Sequence, residues 1–176
     1  LVAAFKGIDK LYFVSSSDIV NRFAQHENVV KAAVEAGVGH IFYTSAQRKS
    51  EDGTSPIALV ADAHCKPDNL IKESGLTYTI LKNGLYTDIL PMFMGDKVIE
   101  TATIFLPAGD GKSSFVSRKD FAAAAANLLT TEGHENKVYE MGAPVAYSFY
   151  DIAGILSALS GKSIQYVSPS AEVFTE

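Results

Sequence analysis

The chain has 176 residues, 47% of them hydrophobic, enough to bury one good core and therefore one domain or most of one. Acidic side chains outnumber basic ones by 20 to 15, for a net charge of -5, and no Lys/Arg cluster appears, which argues against a nucleic-acid or anionic-membrane partner. The single cysteine, Cys65, has no internal disulfide partner and no secretory leader or long apolar span is read here, so a reducing cytoplasm is the expected compartment.

LVAAFKGID begins in mid-helix, with Leu1, Val2 and Phe5 at helical spacing, Gly7 as a stop and no capping residue ahead of Leu1. The expectation is a fragment whose beginning is absent or not counted. Lys10 to Val14 reads as a buried strand that runs into Ser15, Ser16, Ser17 and Asp18. A helix is predicted over 24–36 with Gly37 as its stop, then a second buried strand from Ile41 to Thr44 that ends at Ser45. After a polar loop, Ser55 as cap and Pro56 at the first helical position predict a helix entry. That helix runs toward Glu73, and Pro67 should kink or split it.

Leu76 to Leu81 follows the helix-stop Gly75 as a third β-rich run and ends at Lys82, Asn83 and Gly84. The next residues, GLYTDILPMFM, do not alternate like a returning strand. Asn83-Gly84 therefore reads either as the carboxyl end of a buried strand opening into a loop or as a plain surface turn. A loop or helix interrupted by Pro91 is predicted near Tyr86 to Met94, a strand from Thr103 to Leu106, a turn at AGDGKSS and an extended pair at Phe115-Val116. Ser117 with Asp120, and Ser148 with Asp151, each place a hydroxyl three residues before a carboxylate, like a capping box. The first opens an alanine-rich helix to about Leu129, and the second a helix through Ile152, Ile155, Leu156 and Leu159, stopped by Gly161. Strands Val138 to Met141 and Ile164 to Val167 follow them. Alternating β and α elements with short connections predict an α/β fold with a mostly parallel, doubly wound sheet.

VSSSD, YTS and LKNG each close a predicted strand, so a parallel sheet would crowd all three onto its carboxyl edge, where open α/β sheets take ligands. The three serines offer hydroxyls and N–H groups to phosphates or ribose; the competing reading is a turn that satisfies its own backbone. Tyr78 and Lys82 have Tyr-x-x-x-Lys spacing, but that pair acts from adjacent turns of one helix, and on a strand the residues lie roughly 13 Å apart. AGDGKSS is no phosphate loop, because Leu106 stands where the first glycine is required. His26, His40, His64 and His134 are scattered without metal-ligand spacing, so no metal is expected. His64, with Asp62 and Asp68 on the helix after the second strand, is either a proton donor facing the cleft or a structural side chain. A nucleophilic role for Cys65 is weaker still, since no activating neighbour is evident in the sequence. Arg118 opens a helix, where a cation opposes the dipole, a hint of ligand contact against the reading of a surface arginine.

VSSSDIVNRFAQHENVVKAAVEAGVGHIFYTS, DAHCKPDNLIKESGLTYTILKNGLYTDI and SRKDFAAAAANLLTTEGHENKVYEM resemble the NmrA-like atypical short-chain dehydrogenase/reductase family, on the side of its bacterial NAD(P)H:quinone oxidoreductases and triphenylmethane dye reductases. The resemblance implies a Rossmann-like NAD(P)-binding domain over 1–176 that lacks its N-terminal phosphate-binding βαβ part, about 60 residues at ~30 per unit. It also implies the start of a small C-terminal substrate lobe, over about 84–116 and 137–176. The implied cofactor is NADP, with NAD the alternative because the deciding strand is absent. Ser15, Ser16 and Ser17 would lie along the dinucleotide, with Thr44 and Ser45 as further contacts. Asn83, Gly84, Leu85, Tyr86, Thr87 and Asp88 would border its nicotinamide half, with Arg118 nearby. The implied activity is hydride transfer to a quinone or similar conjugated acceptor (dye, flavin), with Tyr86 lining the acceptor pocket and His64 as proton source. The alternative is a non-catalytic NAD(P)-binding redox sensor that regulates a partner. A small quinone-like molecule is the expected partner, with neither nucleic acid nor membrane, and a homodimer is left open. One departure stands out: Pro67, Asp68 and Asn69 occupy positions where relatives tend to have Thr-Glu-Lys.

Overall fold

The computed structural model describes residues 1–18, 20–51 and 58–175, the side chains of 58–62 excepted, so the Ser55-Pro56 helix entry and the Asp62 side chain lie outside the described residues. The chain begins with α1 (Val2–Phe5), β1 (Lys10–Phe13), α2 (Arg22–Ala36), β2 (His40–Ala46), α3 (Ala58–Glu73) and β3 (Thr77–Asn83). It continues through β4 (Leu85–Tyr86), a 3₁₀ turn (Thr87–Ile89), α4 (Leu90–Met94), α5 (Val98–Thr101), β5 (Thr103–Phe105), β6 (Lys112–Ser113) and β7 (Phe115–Val116). Then come α6 (Arg118–Thr130), β8 (Lys137–Met141), β9 (Tyr147–Ser148), α7 (Phe149–Ser160), β10 (Gln165–Val167) and α8 (Ala171–Thr175). Two compact units result: Leu1–Asn83 with Phe121–Met141, and Gly84–Asp120 with Gly142–Glu176.

The first unit is built on a four-stranded parallel sheet in the order β1-β2-β3-β8. β2 is buried from His40 to Ser45, the signature of a parallel strand covered on both faces. Val30, Ile41, Tyr43, Ile71 and Ile80 form its core. α2 closes on Gly37 at φ 71°, a left-handed conformation that glycine adopts without a Cβ penalty. Gly39 is required for a different reason: a Cβ there would meet the Asp9 carbonyl oxygen at 2.9 Å, and that carbonyl accepts the His40 N–H.

Three expectations change here. β1 is not buried, since it is an edge strand of the described sheet with Tyr12 exposed, and it ends at Phe13. α2 starts at Arg22. Pro67 does not split α3, which is assigned as one helix through it; Pro67, Asp68 and Ile71 are fully buried there, so packing outweighs the lost backbone bond.

The second unit holds three short ribbons: parallel β5–β10, parallel β4–β7 and antiparallel β6–β9. Its core is Val98, Ile104, Ile152, Ala153, Ile164 and Tyr166. The strand expected at Ile164 to Val167 thus pairs with β5 and does not extend the central sheet. Pro91 does not interrupt a helix but sits in the first turn of α4, where its missing N–H is an orphan in any case. At α7 the capping box is complete: Asp151 N–H donates to Ser148 Oγ at 3.1 Å, and Ser148 N–H donates to Asp151 Oδ2 at 2.8 Å. On the same helix Ile152 is buried, but Ile155 and Leu159 are exposed, so the apolar periodicity overstates the buried face.

Ile80 is fully buried and Leu159 is 80% exposed, which makes them a matched test of the core assignment. Ile80→Ala should lower the unfolding free energy by about 3 kcal/mol in chemical denaturation, while Leu159→Ala should stay within about 0.5 kcal/mol of the parent.

Candidate functional site

The register of the first unit decides where its polar strand ends go. Phe13 pairs with Tyr43, Tyr43 with Ile80, and Ala46 with Asn83, so β1, β2 and β3 finish along one edge. Ser15 N–H donates to Thr44 Oγ1 at 2.8 Å, and Gln47 N–H donates to the Asn83 carbonyl at 2.9 Å. The serine turn, the Thr44-Ser45 pair and Asn83 are therefore brought together. The turn also satisfies part of its own backbone: Ser16 N–H donates to His26 Nε2 at 3.0 Å and Asp18 N–H to Ser16 Oγ at 3.2 Å. With the amides of Ser15 and Ser16 already engaged, this edge presents hydroxyls more than N–H groups. That chemistry suits sugar hydroxyls or an amide better than a phosphate.

Beneath the edge lies a buried polar layer that spacing alone does not reveal. Arg22 Nη1 lies 2.9 Å from His64 Nε2. A guanidinium only donates, so Nε2 accepts and the ring proton sits on Nδ1, which has no hydrogen-bond partner among the described residues. Burial first, then the Arg22 and Arg48 charges, lower the His64 pKa to about 4. The ring is therefore neutral near pH 7. One turn along α3, Asp68 accepts from Ser45 Oγ at 3.0 Å and from Arg48 Nη2 at 2.6 Å. Burial raises the Asp68 pKa although Arg48 and Ser45 pull it down; burial also works against the Arg48 charge, but Asp68 and Glu51 outweigh it and raise the Arg48 pKa. Lys82 stays on β3 with Tyr78 and pairs with Glu51 at 3.0 Å, so the two residues form no helix pair.

In the second unit, Leu85 pairs with Phe115 and Tyr86 with Val116, which brings Arg118 over the Tyr86 ring at 4.6 Å. Arg118 N–H donates to Asp88 Oδ2 at 2.9 Å, and this bond holds the Asp88 carboxyl below its ordinary pKa. Leu85, Tyr86, Asp88 and Arg118 thus form one cluster, and the unfavourable place of Arg118 at a helix start has an internal explanation. Two apolar cavities lie in this unit. One of about 260 Å³ is lined by Thr87, Leu90, Met94 and Ile152 among others, and one of about 340 Å³ by Leu85, Leu106 and Phe149 among others; Phe115 and Tyr147 line both. Tyr86, expected to line an acceptor pocket, lines neither of these two.

The model of the NmrA-like family matches residues 1–176. The chain belongs to the NmrA-like family. It is 38% identical over 174 residues to quinone oxidoreductase 2 of Escherichia coli K12, covering 99% of this chain and 59% of that one. It is 30% identical over 174 residues to the NAD(P)H azoreductase of Xenophilus azovorans, covering 98% of this chain and 58% of that one. Among solved structures, the NADPH complex of the E. coli NADPH-dependent quinone oxidoreductase matches at a TM-score of 0.88 and 38% identity, over 98% of this chain and 59% of that one. The NADP(H) complex of Citrobacter sp. triphenylmethane reductase matches at 0.85 and 37%, over 98% and 60%. The chain thus spans about three-fifths of the length of these relatives.

In this NmrA-like chain the buried layer of Arg22, His26, Arg48 and Asp68 is what sequence reasoning missed. The only signal for it is the i, i+4 spacing of His64 and Asp68, which stacks them on one helix face. Among the described residues no helix is long and apolar enough to cross a membrane.

Two of the buried histidines, His26 and His64, predict acid sensitivity. His26 and His64 both have folded pKa values of about 4, His26 through burial and then Arg22, against an ordinary 6.5. The unfolded chain then binds more protons between those values, so their contribution is complete above pH 6.5 and lost as pH falls toward 4. Unfolding free energy should drop by a few kcal/mol between pH 6.5 and 4.5, ahead of the carboxylate range, and His64→Gln should reduce that slope.

Proposed function

We propose that the chain forms the larger part of an NAD(P)H-dependent reductase that delivers hydride to a quinone or similar conjugated acceptor, a dye or flavin included, with NADP as cofactor. The observation that carries this reading is the 38% identity to the E. coli quinone oxidoreductase across 99% of the chain. In this reading the first unit is most of a nucleotide-binding domain, and Ser15, Ser16, Ser17, Thr44, Ser45 and Asn83 contact the dinucleotide. The chemistry of that donor set fits it, because hydroxyls and a carboxamide match ribose and nicotinamide amide groups. Gly84, Leu85, Tyr86, Thr87, Asp88 and Arg118 belong to the second unit, which serves as the start of the substrate lobe.

When bound, the cofactor supplies the hydride; the chain supplies orientation and a dry surround. A conjugated acceptor spreads the incoming charge over its π-system, so no Tyr-Lys acid pair is needed, and positioning provides most of the rate enhancement. The apolar walls around Phe115 and Tyr147 suit a flat, neutral ring. One unpaired cysteine supports a reducing cytoplasm as the place of action.

The full-length protein should oxidise NADPH, followed at 340 nm, when a quinone or a triphenylmethane dye is supplied. Arg118→Ala should lower kcat/KM about tenfold, since it removes the cation from Tyr86. NADPH binding without turnover on any of several quinones and dyes would replace this reading with the redox-sensor one.

A further inference from the structure

His26 lies on α2 with 1% of its surface exposed, its ring edge-on to Phe13 at 4.7 Å and to Tyr43 at 5.5 Å between centroids. A phenylalanine or leucine would fill such a place. What neither could do is accept the Ser16 N–H, which lies 3.0 Å from Nε2. A backbone amide only donates, so Nε2 accepts, the imidazole is neutral and its proton is on Nδ1. That nitrogen lies 3.3 Å from the Tyr43 hydroxyl oxygen, which accepts in turn. Neutrality agrees with the burial and with the Arg22 charge, which together bring the pKa to about 4.

We propose that His26 is a positioning residue for the dinucleotide edge: through the Ser16 N–H it fixes the Ser15–Ser17 turn beside Thr44, with the serine hydroxyls left to meet the ligand. The proposal rests on the reading of this edge as a cofactor site. Two tethers define the turn, Ser15 N–H to Thr44 Oγ1 and Ser16 N–H to His26 Nε2, and they come from different elements, β2 and α2. One tether fixes a point; two fix an orientation. Without the second, the Ser16 amide is left unpaired in a half-buried place, and the turn is held only at its ends, by Thr44 at Ser15 and by Asn21 and Gln25 at Asp18.

The test compares His26→Leu, which keeps apolar volume, with His26→Gln, whose side-chain oxygen can accept near the Nε2 position. In the full-length protein, His26→Leu should raise KM and Kd for NADPH about tenfold or more with kcat changed less than threefold, and His26→Gln should return KM to within about threefold of the parent. Hydrogen exchange at the Ser16 amide should be slow in the parent and in His26→Gln, and fast in His26→Leu. If His26→Leu does not fold, replacing the Ser16 amide by an ester removes the same donor with His26 in place and should raise KM alike. Parent-like KM in a folded His26→Leu or in the ester variant overturns the proposal. Failure of the parent to bind NADPH at all overturns the cofactor reading instead, and with it the proposed role of His26, whereas Ser16 exchange still reports whether the tether exists.

Discussion

The parallel register of β1, β2 and β3 is the constraint on which the candidate site depends. A parallel sheet makes every strand finish at the same edge, and a slip of one residue would turn each side chain to the opposite face. On β2 the alternation sends Ile41, Tyr43 and Ser45 one way and Phe42 and Thr44 the other. Tyr43 reaches His26 on α2 and Ser45 reaches Asp68 on α3, while Thr44 holds the Ser15 amide. One strand therefore organises both the serine turn and the polar layer under it. Its complete burial is what makes that register costly to disturb.

That polar layer is chemically uneven. The buried side-chain atoms without partners among the described residues are Arg22 Nε, Arg48 Nε, His64 Nδ1 and Asp68 Oδ1. All four belong to the Arg22–His64 and Arg48–Asp68 pairs, anchored one turn apart on α3. A buried ion pair is weak evidence for stability, because desolvation opposes the attraction. Here the pair does something more local: Asp68 takes the Ser45 proton donor, so the Ser45 hydroxyl at the strand end has a fixed direction. Asp68 thus holds that serine, and Pro67 before it is absorbed by packing.

The fold was largely legible because the first unit announces itself through short buried β-branched and aromatic runs, and through stops such as Gly37 whose backbone needs are local. Convergence of the polar strand ends followed from topology alone. What was not legible depends on partners distant in sequence. Nothing about Arg48 in a polar loop says that it folds back on Asp68, and nothing about His26 says that its acceptor is spent on Ser16. The same holds for strand burial, since the KLYF run is apolar enough for a core strand yet lies at a described edge. Ile164 to Val167 illustrates the same limit: strand propensity does not name the neighbour, which is β5.

Arg118 shows why a local anomaly is ambiguous evidence for a ligand. A cation at a helix start opposes the dipole, but two nearby groups offset that penalty. The Tyr86 ring receives the guanidinium through its negative face, and the Asp88 carboxylate caps the Arg118 amide, adding a negative charge at the N-terminal end where it is favourable. Both come from the segment just after β3, and the β4–β7 pairing sets their distance. The anomaly is therefore explained within the second unit before any ligand is invoked. A role in binding must then rest on what the cluster presents as a whole: an oriented cation and an aromatic ring held by strand pairing, a surface that can meet a conjugated ring by stacking and an anion by charge.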